Sequence, residues 1–551
     1  MSKVQQNSTI LVYDFGVATK VSRMKPWDLE RLLFTQFNRR RFIYGAGIVT
    51  ASTLAQSSFS KVIAQPKFKS DPFSLGVASG DPLPSSVLLW TRLAPDPLNG
   101  GGMPSVNVPV QWQVALDEKM SKIVQRGQAI ATPELAHSVH VDVRGLESGR
   151  WYWYQFKTGT QVSPIGRTRT APAPGQKTER FRFAFASCQN WESGYYAAYK
   201  HMAREDLDLI IHVGDYIYEG QARPNTIRQH NGAEIVTLDE YRNRYALYKT
   251  DPNLQAAHAH APWAVTWDDH EVNNNWAGNI PQDPDKQSPQ QFLARRIAAF
   301  QAYYEHMPLR LGAKPTGDKM QLYRRLTFGD LVEFNVLDTR QYRSDQPCND
   351  GIKPRCDEAL SPSATMTGKK QEQWLFAGLT RSQARWNVIA QQVVFTQYDW
   401  TEGEKTSFNL DAWDGYVAAR SRILKFLQQR KPNNPVVISG DTHSSWVSNL
   451  LADFNNPDSA VVGTEFVGTS ITSNFTASDI IEKALPENPW VKYFNGRQRG
   501  YVLCDLNRDR WLTNFRLLPE SVPDKPTVPD ENLPITTTTF ELPNGGVVAK
   551  V

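Results

Sequence analysis

The chain has 551 residues, of which 40% are hydrophobic and 21% charged. It is too long for one compact core and too apolar for a disordered polymer, so two globular domains with peripheral segments are expected. The net charge of +5 is concentrated: residues 1–64 hold nine Lys/Arg against three acids, +6 in all, leaving −1 for the remainder. Without that segment no global basic field remains, and sequence-specific binding of nucleic acid is not expected.

In chain order, Asn38-Arg39-Arg40-Arg41-Phe42-Ile43 comes first, followed by a weakly apolar stretch from Tyr44 to Ala55 and by the small-residue pattern Val62-Ile63-Ala64. Residues 1–64 resemble a twin-arginine export signal, with a basic amphipathic helix as the alternative. The resemblance implies the twin-arginine translocation machinery as a partner. It also implies a periplasmic or extracellular destination and a metal loaded before export. The apolar stretch contains Gly45, Gly47, Thr50, Ser52 and Thr53, too short and polar to span a bilayer. No other segment reaches about 18 apolar residues in a row, so the mature form is expected to have no stable membrane span.

Residues 66–172 read as a small β-sandwich. Val87–Arg92, Val108–Val114 and Trp151–Phe156 are rich in β-branched and aromatic residues and are separated by Gly, Pro and Asp turns. Ala171-Pro172-Ala173-Pro174-Gly175-Gln176-Lys177 reads as a short extended linker. From 178 to 518 the pattern becomes α/β. Apolar runs at Phe181–Ala186, Leu207–Val213, Pro262–Trp267, Leu331–Leu337 and Pro435–Ile438 predict buried strands. Stretches at Gln290–His306 and Val417–Arg430 predict helices. Residues 519–551, rich in Pro and Thr, form a C-terminal extension.

Polar clusters follow several of these runs, where open α/β sheets place active sites. Cys188 follows the first. A lone buried thiol is ordinarily inert, and it becomes a ligand only in the company of others. Asp215 and Tyr218 follow the second, in Gly214-Asp215-Tyr216-Ile217-Tyr218. A carboxylate and a phenol three residues apart suit one trivalent iron, and an Asp can bridge two ions. The same pattern also fits a turn Asp with a packed Tyr. Trp267-Asp268-Asp269-His270-Glu271 leads into Val272-Asn273-Asn274-Asn275. Four consecutive ionisable side chains are costly to gather unless a cation or an anionic substrate organises them. The alternative is a solvated helix start capped by Asp268. Arg340, in Leu337-Asp338-Thr339-Arg340, can clamp phosphate in bidentate fashion or pair with a nearby carboxylate. Cys348 and Cys356 bracket a turn-rich loop and predict a local disulfide in an exported protein. Asp441 and His443 follow the Pro435–Ile438 run. In an extended segment their spacing of two puts both on one face, so both could enter one coordination sphere. Cys504, in Tyr501-Val502-Leu503-Cys504, reads as a buried strand thiol.

The set of motifs resembles the metallophosphoesterases of the purple acid phosphatase type, and more closely the PhoD-type alkaline phosphatases. The resemblance implies a four-layer α/β/β/α domain behind a small β-sandwich, and a mixed site for Fe3+ and Ca2+. Cys188, Asp215, Tyr218 and His443 would surround the iron. Asp215 would bridge to calcium, with Asp441, Asp269 and one amide of Asn273 to Asn275, here taken as Asn274. His270 would protonate the leaving oxygen or bond the phosphoryl group, with Arg340 as phosphate clamp. A metal-held oxygen would attack phosphorus in line. The implied function is an exported alkaline phosphatase acting on small phosphate esters, monoesters first and diesters possible. The alternatives are a phosphodiesterase or phospholipase D-like activity on the same scaffold, and a non-enzymatic exported binding protein.

Overall fold

The structure, a computed structural model, describes residues 67–520 and 533–551. Residues 1–64, expected from the sequence to be an export signal, and part of the C-terminal extension lie outside the described residues.

Two large sheets pack face to face. The first has ten strands, with Arg180–Ala186, Leu209–His212 and Trp263–Val265 parallel at its centre. The second has seven, with Val332–Val336, Trp386–Ala390, Pro435–Ser439 and Val461–Val467 parallel to one another. Side chains alternate across each strand. Phe181, Phe183 and Phe185 therefore point to the space between the sheets, where they meet Phe334, Val388 and Ile438. Ala184 and Ala186 point the other way, to a core capped by the helices Leu238–Lys249 and Pro289–His306. Ile389 and Val437 of the second sheet pack outward under Gly368–Arg381 and Val417–Arg430. The architecture is the expected four-layer α/β/β/α. The predicted helices at 290–306 and 417–430 are present as Pro289–His306 and Val417–Arg430. The first starts with a Ser288/Gln291 capping box and Pro289 in its first turn.

The N-terminal β-sandwich is also present. Val108–Ala115, Ile123–Ala131 and Trp151–Thr158 form one of its sheets. Its other face is made by Val77–Leu83, Ser86–Arg92 and Ser138–Arg144. These three strands also continue the ten-stranded sheet, because Gly80 pairs in parallel register with Trp263. A Cβ at Gly80 would lie 2.3 Å from the Pro308 carbonyl oxygen, so only glycine permits this approach. At the opposite edge, Thr536–Pro543 and Ala549–Lys550 of the C-terminal extension add the last two strands. Cys348 and Cys356 form the expected disulfide, and Cys504 is a buried strand thiol. Among the described residues, no helix is long and apolar enough to cross a membrane.

Candidate active site

All nine residues singled out from the sequence lie just beyond the carboxyl ends of parallel strands from both sheets, or in the loops those strands feed. Cys188 follows Arg180–Ala186, and Asp215 and Tyr218 follow Leu209–His212. Asp269, His270 and Asn274 follow Trp263–Val265, Arg340 follows Val332–Val336, and Asp441 and His443 follow Pro435–Ser439. Cys188, Asp215, Asp441 and His443 all have left-handed backbone, with φ from 55° to 64°. A run of such non-glycine residues is the kind of strain that clusters at functional sites.

Three groups of metal-ligating atoms stand together here. Within each, the ligand atoms lie within 4.8 Å of one another: Cys188 with Asp215 and His443, Asp215 with Asp269 and His270, and Asp268 with Asp269 and Asp441. Asp215 and Asp269 each belong to two groups, which makes the whole a continuous double cradle. In the first cradle Tyr218 donates its hydroxyl to Asp215 Oδ2 at 2.8 Å and stands 3.2 Å from His443 Nε2. The other His443 nitrogen, Nδ1, faces the Asn474 carbonyl at 2.8 Å, so it carries the proton and leaves the Nε2 lone pair to the cradle.

The extended segment that would put Asp441 and His443 in one sphere does not form. Their segment is left-handed rather than extended, so the two side chains diverge: His443 joins the sulfur-containing group and Asp441 the all-carboxylate one. Arg340 needs correcting. Of its two readings, the geometry carries the ion pair and not the phosphate clamp. The guanidinium is fully buried, with Nε on Asp268 and Nη1 on Asp411 at 2.9 Å. Its remaining nitrogen, Nη2, is 3.8 Å from both Asp269 and Asp441, inside the carboxylate cluster.

His270 is held at Nδ1 by Glu219 at 2.6 Å and stacks its ring 4.1 Å from that of Tyr218. Burial alone would lower its pKa, but Glu219, Asp269 and Asp215 together raise it well above the usual histidine value. In the metal-free protein these carboxylates favour the protonated ring. Of the three consecutive amides, Asn273 accepts from the Gln282 N–H and Asn275 donates to Asp350. The Asn274 side chain has no such partner among the described residues, while its N–H donates to Glu219 at 2.7 Å.

Several residues were not singled out from the sequence. Asp268 is a member of the all-carboxylate group. Glu271 accepts the N–H groups of Asp215, Tyr216 and Asp268 at 3.2, 2.6 and 2.8 Å, and so braces two of the site loops. Ser473 donates to the Tyr218 hydroxyl at 2.7 Å. Asp268 and Glu271 stand inside the ionisable run that marked this stretch. Glu219, Asp411 and Ser473 carry no local signal.

The electrostatics fit cations. Burial, with Asp269 and Asp268 adding to it, raises the pKa of Asp215 well above the carboxylate range. Burial raises Asp441 to about 7 and Glu271 to about 8. Burial and then Asp215 do the same to the Cys188 thiol and the Tyr218 phenol. The buried oxygens Asp215 Oδ1, Asp268 Oδ2 and Asp269 Oδ1 have no hydrogen-bond partner. Arg340, Arg343 and the His270 ring do not neutralise so many acids. Bound cations would supply the missing charge and occupy those oxygens. Thiolate, imidazole and phenolate suit a transition metal, and the all-carboxylate group suits a hard cation.

This arrangement carries a pH prediction. Without metal, folded Asp441 keeps its proton up to about pH 7, while an unfolded Asp loses it near 4. The stability from that proton is full below pH ~4 and is lost as pH rises through ~7. Metal loading displaces the proton, so the loaded form is spared this loss. The melting-temperature gap between metal-loaded and chelator-treated protein is therefore expected to widen from pH 5 to about 7 and then to level off. Each displaced proton contributes about 1.4 kcal/mol per pH unit. A gap that stays constant across this range would contradict the assignment.

Residues 183–515 match the PhoD-like phosphatase family, and residues 56–172 match its N-terminal domain. Alkaline phosphatase D of Bacillus subtilis (strain 168) is 53% identical over 522 residues, 92% of this chain and 88% of that protein. A solved structure of PhoD superposes with a TM-score of 0.83 at 51% identity, over 88% of this chain and 93% of that one. The two family matches take in both the sandwich and the strand ends that build the double cradle, and this chain is an enzyme of the PhoD-like phosphatase family.

Proposed function

We propose that this phosphatase is exported by the twin-arginine route and hydrolyses small phosphate esters, phosphomonoesters among them, with Fe3+ and Ca2+ in the double cradle. The observation that carries the proposal is the trio of buried, unpartnered carboxylate oxygens on Asp215, Asp268 and Asp269, beside a Cys–Tyr–His set. Cys188, Asp215, Tyr218 and His443 would hold the iron. Asp215, Asp269, Asn274 and Asp441 would hold the calcium, with Asp268 an added donor. When bound, the cations supply the positive charge that phosphoryl transfer needs as charge builds on the phosphoryl oxygens.

The protein's own groups do the rest. The His270 imidazolium, oriented by Glu219, is placed to protonate the leaving alkoxide. Arg340 fixes Asp268 and Asp411 in place and, with Arg343, keeps Asp411 ionised against its burial. Glu271 holds the Asp215 and Asp268 loops in register through their N–H groups.

Protein purified without chelator should contain iron and calcium and release phosphate from an aryl phosphate at alkaline pH. Well-folded protein with neither iron nor activity would overturn the reading. Tyr218 on ferric iron should also give a visible charge-transfer band, and Tyr218→Phe should remove or shift it. An unchanged band would mean that Tyr218 is not the ligand.

A further inference from the structure

The disulfide loop beside the cradle has no part in the chemistry above, yet it reaches into the site. Gln346, at its start, donates to the Asn275 carbonyl at 2.5 Å and to Asp411 Oδ1 at 2.8 Å. Asp350, near its tip, accepts from Asn275 Nδ2 at 2.6 Å. The Asn275 N–H in turn donates to Asp269 Oδ2 at 2.7 Å. Asn275 is therefore tied at its carbonyl and side chain to the loop and at its N–H to a candidate metal ligand. Asn274, the candidate amide ligand, is its neighbour in the chain.

The loop is not relaxed. Cys348, Asn349, Asp350 and Gly351 follow one another with φ of 58°, 59°, 56° and 86°. Three of them are not glycine, and each such residue costs about 1 kcal/mol or more in the left-handed region. Such a run persists only where its surroundings over-determine it. Here the Cys348–Cys356 disulfide closes the loop, Ile352 pairs with Asn409, and the Cys348 N–H is held by Glu358 at 2.8 Å.

We propose that the oxidised loop is a strap, with Asp350 as its positioning residue, that fixes Asn275 and through it Asp269 and Asn274, so that calcium affinity depends on the state of the Cys348–Cys356 pair. The proposal rests on the reading of the carboxylate-rich cradle as a cation site. Affinity for a hard cation is tuned by the rigidity of its oxygen ligands as well as by their charge. A dithiol reductant would break the S–S bond and deliver two electrons and two protons to the sulfurs. Two thiols form on the protein and the reductant closes to its own disulfide. The strained run would then relax and withdraw Asp350 from Asn275. The iron set, Cys188, Asp215, Tyr218 and His443, makes none of these bonds to the strap.

The test uses full-length enzyme stripped of metal and titrated with calcium by calorimetry. The forms compared are oxidised protein, dithiothreitol-reduced protein, Asp350→Ala, and Asp350→Asn, which keeps an acceptor oxygen. Reduction and Asp350→Ala should each weaken calcium binding about 10- to 100-fold, the range typical of groups that orient metal ligands. Asp350→Asn should retain most of the affinity, and in separate iron-loaded, oxidised samples the charge-transfer band of both Asp350 variants should match that of wild type. If Asp350→Ala does not fold, reduced wild type and the Cys348→Ser/Cys356→Ser variant carry the test. Wild-type calcium affinity in the reduced protein and in every folded variant would overturn the strap. Oxidised wild type that takes up no calcium at all would overturn the cation reading, and the strap with it.

Discussion

Asp215→Ala is expected to reduce phosphate release by about 10³-fold or more, the equivalent of the several kcal/mol that a metal centre contributes to such a reaction. Asp215 is the side chain common to two ligand groups, with one oxygen on the Tyr218 hydroxyl and the other buried without a partner. Its loss takes a donor from both cradles, so iron and calcium should fall together. Metal analysis of the purified variant alongside an aryl phosphatase assay checks both effects. Normal iron and calcium with activity lost would make Asp215 a catalytic base rather than a ligand. Full activity would remove it from the site altogether. The substitution also takes one acid from an overcrowded cluster, so the metal-free variant should be no less stable than metal-free wild type.

Arg340→Ala should have the largest effect on stability. The arginine is completely buried and pairs with Asp268 and Asp411, while its third nitrogen faces Asp269 and Asp441. Removing one partner of a buried pair leaves uncompensated charge and costs about 3–5 kcal/mol. Here several carboxylates would lose the same cation. Urea unfolding of metal-free protein should show the loss, and bound metal should recover part of it. Arg340→Lys restores one charge but not the planar fork, so it should fall between the two. Wild-type stability in the metal-free alanine variant would mean that the acids are already protonated, and that Arg340 is not what holds them.

Much of this was legible in the sequence, for a physical reason. Parallel strands covered on both faces read as continuous apolar runs, and the polar residue that ends each run marks the carboxyl edge of a sheet. Asp215, Asp269 and Asp441 were visible in this way, and so were the two long helices. The division of Asp441 and His443 between two groups came with the family resemblance and not with their spacing, because it depends on left-handed φ values that residue types do not announce. The setting of Arg340 depends on Asp411, 71 residues away in a stretch with no apolar lead-in. Ser473 reaches Tyr218 across 255 residues. Such partners are supplied by packing, and no local pattern encodes them. Likewise Cys188 carries no signal of its own and acquires a candidate role only from the neighbours the fold brings to it.

The parallel register of Gly80 with Trp263 also bears on how the molecule comes apart. A module joined only by a linker could melt and re-form alone. Here detaching the sandwich would strip the Trp263–Val265 strand of a neighbour and lay bare backbone polar groups at Trp263, in the strand that leads to the Asp268–Asn275 loop. The two family regions are therefore bound into a common cooperative unit. Damage to the sandwich, far from any phosphate, would be felt as slackness in the loop that bears the acids.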